Sequence, residues 1–173
     1  MSYLAIQRGL TVEAIRQTEY LYKKEALIAA HLELTLPWIL TPTPKFYFSD
    51  YHITEKAGDY GNYIGDLELK WVNGPSSIPV HFDYEKIQIM AGIRIPGADN
   101  PSAFHRVCFR FDDGLLMLPI NALDHLKPTV NTGKQPGYNY GRPARLVVKI
   151  HAEQYPLSCF KPIKLNSPEY AKV

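Results

Sequence analysis

The chain has 173 residues, of which 46% are hydrophobic and 21% charged, as in an ordinary globular domain and unlike a fibrous or disordered protein. Its formal net charge of +2 is too small to indicate nucleic-acid binding by itself, so any basic surface must be local. No apolar stretch approaches the roughly 20 residues of a membrane span, and residues 1–10 lack a secretory signal, so we expect a cytoplasmic protein with no membrane partner.

The first predicted element is a long helix. Residues 11 to about 32 contain neither glycine nor proline, and Thr11 can cap the first turn. On a helical wheel, one side collects a stripe of mostly apolar side chains, namely Val12, Ile15, Tyr22, Ala26, Ala29 and Ala30. Glu19 falls within this stripe, so the sequence predicts an acid on the buried side of the helix.

A β-hairpin is predicted next. Residues 34–41 are apolar but contain Pro37, which favours an edge strand or an extended connector. Residues 45–54 and 62–72 are rich in aromatic and β-branched residues, and the segment between them contains two glycines. These two segments therefore form the predicted antiparallel pair.

The second half of the chain predicts a short helix and another hairpin. Asp83 can cap a helix over residues 84–91, which Gly92 would end. Residues 104–111 and 115–120 are predicted strands joined by a tight turn of two aspartates and a glycine.

The last third of the chain has weaker signals. Asn121 can cap a short helix that ends before Pro128. Residues 129–143 are rich in Gly, Pro, Asn and Tyr and predict a long loop, and residues 145–150 predict a final strand.

The geometry of the first hairpin predicts which side chains share a face. With the loop centred near Asp59, Asp50 lies opposite Glu68, with Cβ atoms about 5 Å apart. Alternation along the strand brings Lys70 to the same face. Two carboxylates this close repel each other, and a divalent cation with oxygen ligands, such as Mg²⁺ or its substitute Mn²⁺, relieves the repulsion. A nearby lysine can orient an attacking water or stabilise the charge that develops on a phosphate.

Asp50, followed by Glu68, Leu69 and Lys70 on the next strand, resembles the signature of the PD-(D/E)XK nucleases, with Ser49 in place of the proline. The order of elements over residues 11–127 is similar as well. The resemblance implies one domain of the α/β (α+β) class, a restriction endonuclease-like core with a mixed β-sheet flanked by helices. Residues 128–173 would form a loop-rich C-terminal extension. The implied activity is Mg²⁺-dependent hydrolysis of phosphodiester bonds in double-stranded DNA, with sequence-specific cleavage of the restriction or homing type.

The resemblance also suggests roles for residues outside the signature. The first helix of the family often supplies another acid to the metal site, and Glu19 fits this role better than Glu13 or Glu25. Relatives often carry an accessory polar residue on the second helix, where Lys86 and Gln88 lie, so either could contact a phosphate.

A basic segment predicts a DNA-contacting surface. Residues 125–152 contain five lysines and arginines and no acid, with tyrosines interleaved. Such a composition suits phosphate contact and groove entry, and equally a solvated basic loop. The candidate DNA contacts in this segment are Lys134, Tyr138, Tyr140, Arg142 and Arg145.

Several alternatives remain open at this point. Asp59 is the second choice for the first metal ligand, although at the hairpin tip it would lie about 30 Å along an extended strand from Glu68. Cutting both strands of a duplex calls for two sites, so a homodimer or homotetramer is expected. Junction resolution is an alternative activity, and a non-catalytic nucleic-acid-binding module is the alternative of another class. The Glu68 tripeptide also suits the exposed face of any antiparallel strand.

Overall fold

The computed structural model of the chain describes residues 12–44, 47–56, 62–92, 104–131 and 144–162, without the side chains of residues 12–22. Within these ranges the protein has a mixed α and β fold with two α-helices and two β-sheets. Neither of these helices combines the length and the apolar character needed to cross a membrane.

The helices and strands are named in chain order. They are α1 (Val12–Thr35), β1 (Trp38–Pro42), β2 (Tyr51–Glu55), β3 (Tyr63–Trp71), β4 (Val80–Asp83), α2 (Tyr84–Gly92), β5 (Arg106–Phe111), β6 (Gly114–Pro119), β7 (Thr129–Asn131), β8 (Arg145–Ile150) and β9 (Phe160–Pro162). Short 3₁₀ turns lie at Ile120–Ala122, Ala152–Gln154 and Leu157–Cys159.

The larger sheet has six strands in the order β1-β2-β3-β5-β6-β9. All neighbours in it are antiparallel except β3 and β5, which are parallel. Parallel neighbours need a crossover connection, and here the connection includes β4 and α2. The smaller sheet is antiparallel, with β8 between β4 and β7.

Helix α1 packs on one face of the larger sheet. Ile28, Ala29 and Leu32 are buried against a cluster that includes Leu67 and Leu69 of β3. Their spacing puts them on one side of the helix.

This buried stripe shares Ala29 with the one that the helical wheel predicted but otherwise differs from it. Ala26 and Ala30 belong to the predicted stripe but are exposed, whereas Ile28 and Leu32 are buried. The physical reason is size: a buried Ile or Leu removes far more apolar area from water than an alanine does, so the large side chains determine which side of the helix faces the sheet.

The other face of the larger sheet is covered by α2 and the smaller sheet. Ile87 and Met90 of α2 belong to one buried cluster with Phe82 of β4, Val148 of β8 and Phe109 of β5. The central strands β3 and β5 are therefore buried on both faces, and polar side chains on them are removed from water.

Most predicted elements are present. The hairpin of β5 and β6 has the predicted turn, and the first hairpin pairs as β2 and β3. Asp83 caps α2 as predicted, because its Oδ1 accepts a hydrogen bond from the amide of Glu85 at 3.0 Å.

Several boundaries were wrong. The strand predicted from residue 45 begins only at Tyr51, after a bend at residues 48–50. The helix predicted after Asn121 is a single 3₁₀ turn with Pro119 at its N-cap. The first three residues of the predicted long loop form β7, which pairs with β8, and β4 was not predicted. These short strands depend on partners far along the chain, so local sequence patterns carry little sign of them.

The close approach of Gly65 to the chain at Phe104 gives a test of the fold. A Cβ atom added at Gly65 would lie 2.4 Å from the backbone carbonyl oxygen of Phe104, which cannot swing aside. We expect Gly65→Ala to lower the free energy of unfolding by about 2 kcal/mol or more, measured by urea denaturation.

Gly92→Ala is the matched control for this test. A Cβ at Gly92 meets no atom of the described residues within 4 Å, so this change should leave the free energy of unfolding within about 0.5 kcal/mol of the wild type or raise it slightly. A Gly65→Ala protein as stable as Gly92→Ala would contradict the close approach.

Candidate active site

Strands β2 and β3 pair in the register that the hairpin geometry predicted. His52 lies opposite Asp66 and Tyr51 opposite Leu67, and the paired residues end there, next to Asp50 and Glu68. Asp50 lies in the bend before β2, and its amide donates to the carbonyl oxygen of Leu67 at 3.0 Å. The register shifts between Ile53 and Thr54, nearer the tip of the hairpin.

Glu68 of β3 is fully buried and forms salt bridges with two lysines. The Nζ atom of Lys70 lies 2.5 Å from Oε1 of Glu68, and Lys86 of α2 contacts the same oxygen. The second oxygen, Oε2, is buried and has no hydrogen-bond partner among the described residues. Buried polar atoms nearly always have a partner, so this oxygen marks a position where a ligand would be stabilised.

Asp50 is held beside Glu68 by the backbone of β3. Its Oδ2 accepts a hydrogen bond from the amide of Leu69 at 2.7 Å. Burial, followed by the negative charge of Glu68, raises the pKa of Asp50 to about 6. The amide of Leu69 and the two nearby lysines act in the opposite direction without cancelling this rise. The two carboxylates are therefore coupled electrostatically.

Lys70 keeps its positive charge in this environment. Burial alone would lower its pKa, but the charge of Glu68, its hydrogen bond and the charge of Asp50 raise the pKa above the ordinary value. Lys70 is therefore a fixed cation at neutral pH and not a proton acceptor.

Glu25 of α1 is a third acid near the pair, although the sequence favoured Glu19 for this role. Burial raises the pKa of Glu25 to about 7, and the negative charge of Asp50 contributes to the rise. Glu25 lies three and four residues before the buried Ile28 and Ala29, so it shares their side of the helix. A helical wheel aligned on the large apolar residues of α1 would therefore have identified Glu25 as the acid on the buried side.

Several predicted site residues are not covered by the structure. Glu19 lies in α1, but its side chain is outside the described part, and Asp59 lies outside the described residues altogether. Their roles stay predictions. The same holds for four of the candidate DNA contacts, which are Lys134, Tyr138, Tyr140 and Arg142.

Two other candidate DNA contacts are on the surface. Gln88 is exposed on α2. Arg145 is exposed on β8, with a guanidinium nitrogen 3.6 Å from the carboxylate of Asp83. The residues that the structure brings together are Asp50, Glu68, Lys70 and Lys86.

The acids at this site interact through their charges. Across the described ranges, no group of three or more His, Cys, Asp or Glu residues is placed to hold a metal ion. The negative charge of Glu68 acts on Asp50, and Glu25 interacts electrostatically with both acids.

Comparison with known proteins identifies no family for this chain, so the residues of the site are the main basis for a functional proposal. No protein-family model matches the sequence, and a search of the curated proteins finds no match either. The functional proposal is therefore based on the chemistry of a buried glutamate, a partly buried aspartate and two lysines.

The raised pKa values predict how stability depends on pH. Asp50 and Glu25 bind protons more tightly in the folded chain than in the unfolded chain, where carboxyl pKa values are near about 4. Between the unfolded-state pKa and the folded-state pKa of each acid, the folded state binds more protons than the unfolded state does. The free energy of unfolding therefore falls as the pH rises through this range. This loss begins at about pH 4 and is complete above about pH 7.

We therefore expect Glu25→Gln to gain stability relative to the wild type as the pH rises from about 5 to about 8, because the variant lacks this charge. The measurement is the difference in Tm between the two proteins without divalent cations. Glu55→Gln, which makes the same change at an exposed acid at the end of β2, is the matched control variant. A Glu25→Gln difference that stays constant over this range would rule out the coupling.

Proposed function

We propose that the protein is a Mg²⁺-dependent DNA endonuclease with a restriction endonuclease-like core, in which Asp50 and Glu68 bind the ion and Lys70 acts beside it. The proposal rests on one observation, which is how the two carboxylate oxygens of Glu68 are contacted. Two lysines hold its Oε1, while its buried Oε2 has no hydrogen-bond partner in the described part of the chain. The negative charge of Glu68 acts on Asp50, whose Oδ2 accepts a hydrogen bond from the amide of Leu69.

The residues present fit a Mg²⁺ ion. Mg²⁺ is commonly bound through one or two carboxylates, and waters and substrate phosphates complete its six oxygen ligands. Asp50 and Glu68 supply such a pair, and Oε2 of Glu68 is an oxygen that a cation would satisfy. Mn²⁺ accepts the same kind of ligands and is expected to substitute.

Phosphodiester hydrolysis needs a positioned water and positive charge around the phosphate as negative charge develops there. Bound at the carboxylate pair, Mg²⁺ would polarise the phosphate and lower the pKa of a water. Lys70 stays protonated, so it can hold the attacking water and offset the developing charge. Lys86 approaches from α2 and offers a second cation to a phosphate.

The order of the elements supports the proposal. Helix α1 precedes the antiparallel strands β1, β2 and β3, and α2 lies in the crossover to the parallel strand β5. This order agrees with the one on which the family resemblance is based. It also explains why Lys86, on the crossover helix, reaches a carboxylate on β3.

Cleavage assays test the proposal directly. The purified protein should cut plasmid and single-stranded DNA with Mg²⁺ or Mn²⁺ and not with EDTA, as measured on gels. We expect Lys70→Ala and Asp50→Asn each to lower the rate by about 100-fold or more. Lys70→Ala removes a cation that offsets the charge on the reacting phosphate, and Asp50→Asn removes a charged ligand of the metal ion.

Two exposed residues provide matched controls for the cleavage assay. Lys23→Ala and Asp124→Asn change the same residue types at exposed positions and should keep the wild-type rate. Circular dichroism checks that each variant is folded. Metal-dependent cleavage that survives in both Lys70→Ala and Asp50→Asn would show that the assigned site is wrong.

Metal binding can be measured separately from cleavage. Calorimetry with Mn²⁺ should detect a site in the wild type whose affinity rises from about pH 5 to about pH 8, because Asp50 and Glu25 must lose protons as the cation binds. Asp50→Asn should weaken this binding by about tenfold or more. DNA binding without a detectable Mg²⁺ or Mn²⁺ site would favour the non-catalytic binding module.

A further inference from the structure

A row of aromatic rings lies beside the carboxylate pair. The ring centroids of Tyr47 and His52 are 5.1 Å apart, and those of His52 and Tyr63 are 5.7 Å apart. His52 pairs with Asp66, and Asp66 is two residues from Glu68 on β3, so Asp66 and Glu68 share one face of the sheet at a spacing of about 7 Å along the strand. We call these three residues, Tyr47, His52 and Tyr63, the aromatic row.

One buried carboxylate fixes two of these rings. Asp66 is fully buried; its Oδ1 accepts a hydrogen bond from Nδ1 of His52 at 2.6 Å, and its Oδ2 accepts one from the hydroxyl of Tyr63 at 2.8 Å. Burying an acid is unfavourable unless hydrogen bonds satisfy it, and here both oxygens have partners. The result is a fixed orientation for two partly exposed rings.

The side chain of His105 contacts the backbone of Asp66. Its Nδ1 accepts a hydrogen bond from the amide of Asp66 at 3.1 Å. Oδ2 of Asp66 lies 3.5 Å from the same nitrogen. The hydrogen bonds that the carboxylate accepts come from His52 and Tyr63, on the ring side.

The aromatic row is open to a flat ligand. Tyr47 is 40% exposed and the side chain of His52 is 32% exposed. The neighbouring rings meet edge to face at 74° and 81°, and the ring of Phe48 packs against Tyr47 with its centroid 4.1 Å away. Lys70 and Lys86 lie on the same side of the sheet, around Glu68. Partly exposed rings beside cations suit a flat aromatic group attached to a phosphate, which describes a nucleotide.

We infer that Tyr47, His52 and Tyr63 form a stacking surface for an unpaired nucleobase next to the phosphodiester held at Asp50 and Glu68. The inference rests on the proposed function and names its substrate class: DNA with unpaired nucleotides at the point of cleavage, such as a single strand or a branched end. A base inside an uninterrupted duplex is covered by its neighbours and must leave the stack before it can contact a protein ring. A single site would also suffice for such a substrate, whereas cutting a duplex through both strands calls for a homodimer or homotetramer.

Fluorescence anisotropy tests the preference, with a labelled single strand and the same sequence as a blunt duplex, in Ca²⁺ to limit cleavage. The wild type should bind the single strand more tightly. Tyr47→Ala should weaken single-strand binding by about tenfold and leave duplex binding unchanged, because one stacked base is lost. Tyr47→Phe keeps the ring and should retain wild-type binding. Tyr47 is exposed, so these changes leave the core intact.

A fluorescent adenine analogue in the single strand reports stacking itself, because stacking on an aromatic ring quenches its emission. Quenching should occur with the wild type and with Tyr47→Phe, and should fall in Tyr47→Ala and in His52→Ala. His52→Phe restores a ring without the hydrogen bond to Asp66 and should recover part of the quenching. Leu157→Ala, at a side chain that is 90% exposed, is the control and should leave quenching unchanged.

The outcomes separate this inference from the proposed function. Equal binding of both DNA forms, or quenching that is unchanged in both Tyr47→Ala and His52→Ala, would overturn the inference, while metal-dependent cleavage would leave the proposed function in place. Stacking with a single-strand preference but no cleavage with any metal would support the aromatic row as a nucleobase site and remove the endonuclease proposal.

Discussion

The contact of one buried carboxylate with two lysines is the interaction on which this site depends. Glu68 lies in a strand covered on both faces, where an isolated charge would be strongly destabilising. Lys70 comes from the same strand and Lys86 from the crossover helix, so the charge cluster also ties α2 to the larger sheet. Because both cations approach the same oxygen, the other oxygen remains for a further ligand. The chemistry proposed for the protein follows from this asymmetry.

The face of β3 that carries Glu68 holds two buried acids two residues apart, and their surroundings differ. Both oxygens of Asp66 accept hydrogen bonds, from His52 and Tyr63, whereas Glu68 has one oxygen without a partner among the described residues. A satisfied acid stabilises a fixed arrangement of its neighbours, and an unsatisfied one favours the binding of a cation. The same strand thus orients aromatic rings at one position and presents a charged oxygen at the next. Substrate recognition and chemistry would then be adjacent on one rigid element.

The local parts of this arrangement could be predicted from the sequence, and the non-local parts could not. The centre of the hairpin loop gave the register that opposes His52 to Asp66, because pairing across a short loop is fixed by its length. The contact of Lys86 with Glu68 joins residues 18 positions apart in the sequence and depends on how α2 packs. Local sequence patterns do not predict that packing. Glu25 was not predicted as the site acid because the helical wheel weighted alanines and Ile28 equally. The larger side chain determines which side of the helix packs on the sheet.

The parallel pairing of β3 with β5 has a consequence for how the chain assembles. Contacts between neighbours in sequence form faster than contacts that must wait for a long segment to return. The β2–β3 hairpin is local, so it can bring Asp50 toward Glu68 before the crossover containing α2 has docked. Like charges therefore meet first and one of the compensating cations arrives later. The nascent hairpin has to tolerate that repulsion until the helix closes over it.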